Sequence, residues 1–153
     1  MSAAKILIVE SRFYEEITDN LLKGALKELE AAGVEYRRMV VPGILEIPAG
    51  IRYAIKAMEF KTTDERYAGY ITLGCAILGE TDHYHHVSRE AMGGIQSLVL
   101  QHALALGNGI LTVHNREQAM ERCRVEKRNF GGQAARACLR MMELKREISL
   151  LPK

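Results

Sequence analysis

The stretch KILIVESRFYEEITDNLLKGALKELEAAG, residues 5–33, joins an apolar strand to an amphipathic helix. Residues 6–9 are a continuous apolar run, which is typical of a parallel strand buried on both faces. Residues 15–32 then repeat apolar side chains at helical spacing up to Gly33, a residue that favours the end of a helix. This stretch therefore predicts a first β-α unit, with these side chains facing the core: Ile17, Leu21, Leu22, Ala25, Leu26 and Leu29.

The same alternation continues to the end of the chain. Further strands are predicted at 35–41, 70–73 and 109–113, and helices at 48–58, 83–106, from 115 onward and at 133–148. Asn115 and Gln118 have the spacing of a capping box. With no repeat or linker, residues 1–153 are predicted to be one α/β domain, a parallel four-stranded sheet covered on both faces. Ligands bind beyond the carboxyl ends of the strands in such sheets, so the loops there are the candidate sites.

Composition gives no sign of a nucleic-acid or membrane partner. Of 153 residues, 48% are hydrophobic and 26% charged, and the net charge is +2 without a basic block or an acidic tail. No signal-peptide pattern precedes the first strand, and three cysteines without CxxC spacing favour reduced thiols: Cys75, Cys123 and Cys138. We therefore expect a soluble cytoplasmic protein.

The loop after the third strand, GCAILGETDHYHH at 74–86, carries the densest set of polar residues. It runs into a helix start, whose free N–H groups and dipole favour an anion. Gly79 allows close backbone approach, Thr81 adds a hydroxyl donor, and Thr81 or Asp82 is a candidate helix cap. Two interpretations stay open: a phosphate site and an ordinary capped helix.

Three histidines in this loop raise the question of a metal site. On a helix, His85 projects about 200° from His83, and no HExxH pattern supplies further ligands. We therefore expect no metal. A single imidazole, with an ordinary pKa of about 6.5, suits general acid–base work, and His83 is the candidate because it lies nearest the loop. His85 and His86 are expected to be solvated.

Residues after the other strands have both a functional and a structural interpretation. Glu46 can accept hydrogen bonds from ligand hydroxyls or support a helix N-terminus, and Phe13 and Tyr14 can stack on a planar ring or pack in the core. Arg122 suits phosphate, although composition favours a solvated helical arginine. Cys75 lacks an identifiable base and is expected to be a small buried thiol.

Four segments, in order along nearly the whole chain, resemble lumazine synthase. They are Ser11-Arg-Phe13, Pro42-Gly-x-x-Glu-Ile-Pro48, Gly74-Cys-x-Ile-x-Gly-Glu-Thr-x-His-Tyr84 and Gly109-Ile-Leu-Thr-x-x-Asn-x-Glu-Gln-Ala119. The resemblance implies a flavodoxin-like three-layer αβα sandwich. It also implies a cofactor-free enzyme of riboflavin biosynthesis that condenses a ribitylaminouracil with a butanone phosphate. Its active sites would lie between the subunits of a homopentamer or of a multiple of pentamers, and riboflavin synthase is a candidate partner.

The resemblance also assigns roles to individual residues. Phe13 would stack on the pyrimidine, Glu46 would bind the ribityl hydroxyls, and His83 would move protons. The other substrate-binding residues would be Leu45, Ala76, Ile77 and Asn108, and the phosphate would be bound by Gly79, Glu80, Thr81 and, from the adjoining subunit, Arg122.

Three positions depart from the family pattern. Tyr14 stands where the family often has Asn, Asn108 where many members have an aromatic residue, and Phe130 where a lysine is common. Lys127 or Arg128 would have to replace that lysine, or the enzyme would work without it. Phe130 therefore keeps a second interpretation open, a non-catalytic lumazine- or flavin-binding member of the same fold. A metal-dependent hydrolase and a shell-forming structural protein are further alternatives, the last compatible with catalysis.

Overall fold

The predicted parallel four-stranded sheet is confirmed. The computed structural model describes residues 4–79 and 82–152. Its strands are β1 (Lys5–Ser11), β2 (Tyr36–Val41), β3 (Tyr67–Ile77) and β4 (Leu106–Val113). All neighbouring strands are parallel, in the order β2-β1-β3-β4. The chain order reverses between β1 and β3, which is where doubly wound sheets open a ligand crevice.

Five helices cover the two faces of the sheet. They are α1 (Glu15–Ala32), α2 (Ile47–Glu59), α3 (His83–His102), α4 (Arg116–Cys123) and α5 (Phe130–Glu147), and a single 3₁₀ turn, Ile44–Glu46, leads into α2. One core packs α1, α4 and α5 on the sheet, and a second core packs α2 and α3 on the opposite face. The result is the three-layer sandwich that the sequence predicts. None of the helices in the described ranges is long and apolar enough to cross a membrane.

Alternate residues of β1 enter the two cores. Ile6 and Ile8 belong to the core beneath α1 and α5, whereas Leu7 and Val9 belong to the core beneath α2 and α3. All four side chains are at most 1% exposed. The unbroken apolar run is thus explained by a strand buried on both sides.

The predicted end of the third helix was wrong. The helix stops at His102 instead of 106, because Ala103 takes a left-handed conformation (φ 52°) and the Leu104 N–H bonds the Val99 carbonyl at 3.1 Å. β4 then begins at Leu106. At the chain's last helix, Asn129 accepts a bond from Gly132 N at 3.2 Å, so α5 starts three residues earlier than the predicted 133.

Candidate active site

A cleft of about 270 Å³ opens at the carboxyl ends of β1 and β3. We call it the β1–β3 cleft. Its walls come from the end of β1, the loop after β2, the end of β3 and the first turns of α3. These residues line it: Ser11, Phe13, Tyr14, Gly43, Ile44, Cys75, Ala76, Ile77, Gly79, His83, Tyr84 and Val87. The cleft therefore lies at the crevice that the strand order predicts.

Two aromatic side chains form the wall at the end of β1. The Phe13 side chain is 73% exposed, and its ring meets the Tyr14 ring edge-on, with centroids 5.0 Å apart. Tyr14 is half-buried and packs against the core beneath α1, as its structural interpretation predicted, and it also lines the cleft. An exposed phenyl ring beside a cleft offers a face on which a planar heterocycle can stack.

The loop after β2 supplies the cleft with an apolar floor. Ile44 is 4% exposed, whereas Leu45 is exposed. Half-buried Glu46 precedes α2, and a Cβ added to cleft-lining Gly43 would lie 3.1 Å from its Oε1 atom. Glu46 thus lies against the rim of the cleft without lining it, within reach of a ligand that extends past Gly43.

The end of β3 contributes a further wall of the cleft. Burial, and secondarily the nearby Cys123 thiol, raises the pKa of the Cys75 thiol to about 12. Cys75 is therefore neutral at physiological pH and acts as apolar wall, as the sequence predicted. Further along, Ala76 and Ile77 line the cleft, and a Cβ at Gly79 would meet no atom of the described residues within 4 Å. None of the described side chains therefore covers the backbone at Gly79.

The phosphate site that the loop sequence suggests is described only in part. Glu80 and Thr81 lie outside the described residues. Asp82 precedes α3 with helical dihedrals and forms no side-chain cap hydrogen bond. The first turn of α3 itself contains no acidic residue, but the Asp82 carboxylate directly before it would oppose an anion at this helix start.

The histidines that follow have different positions. His83 is solvent-exposed and lines the cleft, while His85 and His86 are exposed and do not line it. Tyr84 lines the cleft, and its ring packs edge-on against the His85 ring at 5.0 Å. Within residues 4–79 and 82–152, no group of three His, Cys, Asp or Glu side chains is placed to hold a metal ion.

Besides Leu45 and Glu46, two predicted site residues, Asn108 and Arg122, do not line the cleft of their own chain. Asn108 is in the middle of β4, where its Oδ1 atom accepts hydrogen bonds from Thr72 Oγ1 and Ile110 N, each at 3.0 Å. Arg122 is half-buried in α4 and donates to the Gln118 carbonyl at 3.2 Å. Their predicted roles at the substrate stay predictions, and for Arg122 the resemblance already places the role in an adjoining subunit.

Phe130 has a structural role in the fold. It opens α5, is half-buried and packs against the core beneath α1 and α5. It does not line the β1–β3 cleft. Phe130 therefore contributes to core packing in this chain.

Sequence reasoning missed several residues of the cleft, among them Ser11, Gly43, Ile44, Tyr84 and Val87. All except Val87 lie inside the segments that carried the resemblance. Their positions after strands were a usable signal, but an apolar or small side chain in a loop does not by itself indicate a ligand.

The comparisons with known proteins all indicate the same family. The family model described as 6,7-dimethyl-8-ribityllumazine synthase matches residues 3–146. A protein of that name from Paramagnetospirillum magneticum is 55% identical over 147 residues, covering 96% of this chain and 98% of the relative. Proteins of the same name from Afipia carboxidovorans and Agrobacterium fabrum are 48% and 46% identical. These alignments cover 97% of this chain and 90% and 99% of the relatives, respectively.

Proposed function

The chain belongs to the 6,7-dimethyl-8-ribityllumazine synthase family, and we propose that the β1–β3 cleft is where its reaction takes place. The enzyme condenses 5-amino-6-(D-ribitylamino)uracil with 3,4-dihydroxy-2-butanone 4-phosphate in riboflavin biosynthesis. The products are 6,7-dimethyl-8-ribityllumazine, inorganic phosphate and water. All three relatives carry the name of the synthase, so nothing in these matches favours the non-catalytic alternative.

One observation carries the placement of the site. Residues from three separate segments of the resemblance line one cleft: Phe13 from the first, Gly43 from the second, and Ala76, Gly79 and His83 from the third. They are brought together by the carboxyl ends of β1 and β3 and by the loop after β2. This convergence supports a single ligand site for both substrates.

The residues in and beside the cleft support one orientation of the two substrates. The pyrimidine would stack on Phe13, with backbone at Ala76 and Ile77 along its edge and its ribityl chain directed toward Glu46. The keto-phosphate would lie toward Gly79 and the start of α3, the end that favours an anion. This places its carbonyl between the pyrimidine amine and the phosphate end.

His83 would move protons during the condensation. The pyrimidine's amino nitrogen attacks the ketone and water leaves, which gives an imine. Loss of the proton on the adjacent carbon then expels inorganic phosphate and leaves an enol, which tautomerises to a second ketone. The ribityl-bearing nitrogen attacks that ketone, and a second water leaves as the ring closes. Each step transfers protons to or from nitrogen and oxygen, which an imidazole at the cleft can accept and return near neutral pH. Holding both reactants in register supplies much of the remaining acceleration.

We also propose that the working enzyme is an oligomer, a pentamer or a multiple of pentamers, with sites between subunits. The described residues that line the cleft include neither lysine nor arginine, although a phosphate dianion needs a cation. Arg122, outside the cleft of its own chain, would supply that charge from a neighbour.

Two further assignments complete the proposal. Three unpaired, buried cysteines support a reducing, cytoplasmic compartment. Riboflavin synthase, which would take up the lumazine product, is the proposed functional partner.

The direct experiment is to incubate the purified protein with both substrates and to follow phosphate release together with lumazine absorbance. Equal rates of the two signals are expected. Tight binding of lumazine without phosphate release would instead support the non-catalytic alternative.

A further inference from the structure

A buried carboxylate lies just behind the cleft, at the end of β1. Glu10 is 0% exposed, and no other acidic residue in the described ranges is buried. A carboxylate withdrawn from water is tolerated only when it is paired and hydrogen-bonded. Glu10 directly follows the four buried apolar residues 6–9 of β1, and the mechanism above makes no use of it.

Two guanidinium groups bind this carboxylate. Arg38 donates through Nε to Oε2 at 2.8 Å and through Nη2 to Oε1 at 2.9 Å, which is the bidentate geometry. Arg12 donates through Nη1 to Oε1 at 2.6 Å, and its Nη2 pairs with Asp19 of α1. We call these four residues the Glu10 network. The hydrogen bond to Glu10 raises the pKa of Arg38 further above neutral pH. Arginine side chains are protonated at neutral pH in any case, so both guanidiniums are charged.

The strand register explains why the network forms here. Ile8 lies opposite Arg38, and Glu10 lies opposite Val40 on the edge strand β2. Because side chains alternate along a strand, Glu10 faces α1 with Ile8, so Arg38 reaches it from one strand over. The network therefore ties together β1, β2 and the start of α1 at the carboxyl edge of the sheet.

The network also fixes the residues that precede Phe13. The Ser11 carbonyl accepts a hydrogen bond from the buried Thr18 hydroxyl at 2.7 Å, and the Arg12 side chain is held by Glu10 and Asp19. Phe13 follows directly, yet its own ring is 73% exposed and is not buried in either core. The Phe13 ring meets the Tyr14 ring edge-on, and beyond that contact its direction depends on the backbone that Arg12 anchors.

We propose that Glu10 is a positioning residue for the pyrimidine substrate, which acts through Arg12 to hold Phe13 in the orientation for stacking. This inference rests on the proposed function, because it takes Phe13 to be the stacking surface. Glu10 itself does not line the cleft.

The chain offers a matched control at the opposite end of the same strands. Glu65 forms ion pairs with Lys5 of β1 at 3.2 Å and with Arg37 of β2 at 3.6 Å. It thus also joins β1 to β2 through a carboxylate, but it is far along the strands from the cleft. If the loss of any carboxylate between these strands changed the kinetic constants, Glu65→Gln would change them as well.

The test compares steady-state kinetics of Glu10→Gln, Arg12→Met and Glu65→Gln, with product affinity measured by fluorescence titration of the lumazine. For Glu10→Gln and Arg12→Met, we expect the KM for the pyrimidine and the lumazine Kd to rise about tenfold, with kcat within about twofold, because ground-state stacking is lost. The KM for the keto-phosphate should stay within about twofold. Glu65→Gln should change none of these values. The double variant Glu10→Gln/Arg12→Met should raise the pyrimidine KM no further than Arg12→Met alone, because both substitutions break the same Glu10–Arg12 pair.

If folded Glu10→Gln has the wild-type KM for the pyrimidine, the inference is overturned, even if the variant has a lower melting temperature. If Glu10→Gln fails to fold, Arg12→Met decides alone, since Arg12 is the direct link to Phe13. Phe13→Ala separates this inference from the proposed function. If Phe13→Ala raises the pyrimidine KM but Glu10→Gln and Arg12→Met do not, only the positioning role of Glu10 is refuted. No effect in Phe13→Ala refutes the stacking assignment itself.

Discussion

Gly107 of β4 lies directly beneath the backbone carbonyl of Ala134, so α5 meets the sheet there without a side chain between them. A Cβ at Gly107 would overlap that carbonyl oxygen. Close approach of this kind brings the first turns of α5 onto the sheet and fixes the core beneath α1 and α5. A glycine in a strand interior often marks such a contact.

Gly107→Ala should therefore lower the free energy of unfolding by about 1–3 kcal/mol, the usual cost of overpacking a core. Gly93, in the exposed middle of α3, is the matched control, because a Cβ there meets no atom within 4 Å. Gly93→Ala should leave stability unchanged or raise it by up to about 1 kcal/mol through helix propensity. Denaturant unfolding of both variants measures the difference. Equal stabilities would show that α5 can move away from β4 without loss.

His83→Ala should lower kcat by about 10²- to 10⁴-fold, the contribution of a positioned proton-transfer group. Turnover should persist, because the cleft still holds both substrates in register. His86→Ala is the control, since His86 is an exposed histidine of the same helical turn that does not line the cleft. Wild-type kcat in His83→Ala, or an equal loss in both variants, would contradict the assignment.

Cys75 should resist alkylation although it lines the cleft. Its pKa of about 12 means that the thiol is protonated throughout the neutral range, and the thiolate fraction rises about tenfold per pH unit until pH approaches 12. At pH 8, iodoacetamide should therefore react about three orders of magnitude more slowly than with an ordinary exposed thiol. Mass spectrometry of timed samples measures this rate, and denatured protein, in which all three cysteines react, is the control. Rapid modification of Cys75 in the folded enzyme would refute the buried, neutral thiol.

The fold was predictable because its signals are local. The apolar run at Ile6–Val9 and the helical spacing from Ile17 to Leu29 lie within single elements and require no knowledge of the partner. The end of α3 was not predictable in this way, because apolar residues continue through Leu104 into β4 and only the left-handed Ala103 separates the two elements.

The site was predictable only where a motif carried it. Phe13, Gly79 and His83 were indicated by their segments, and the structure brings them to one cleft. The pairing of Glu10 with Arg38 joins residues 28 positions apart on neighbouring strands. It depends on strand order and register, which the residue pattern does not contain. The Glu10–Arg12 pair joins residues only two positions apart, but opposite charges at that spacing do not by themselves indicate a bond behind a cleft.

The final prediction concerns the subunit that supplies Arg122. Arg122→Ala should sharply reduce activity, chiefly through the KM for the keto-phosphate, because the cleft's own described lining contains no cation. The His83→Ala variant lacks a different residue of the proposed site. If Arg122 acts across a subunit boundary, co-expressing the two variants produces some sites with a wild-type His83 from one chain and a wild-type Arg122 from its neighbour.

With random mixing at equal expression, about one quarter of such sites are intact, since each of two chains has an even chance of supplying the intact residue. Activity of the co-assembled protein should therefore approach a quarter of wild type, well above either variant alone. Mixing separately assembled variants without subunit exchange is the control and should give no gain. If both residues served the same site from one chain, every site would carry one defect, and co-assembly would restore nothing. Only a site shared between two subunits becomes intact on co-assembly. The turnover that co-assembly restores therefore decides between a shared site and a site within one chain.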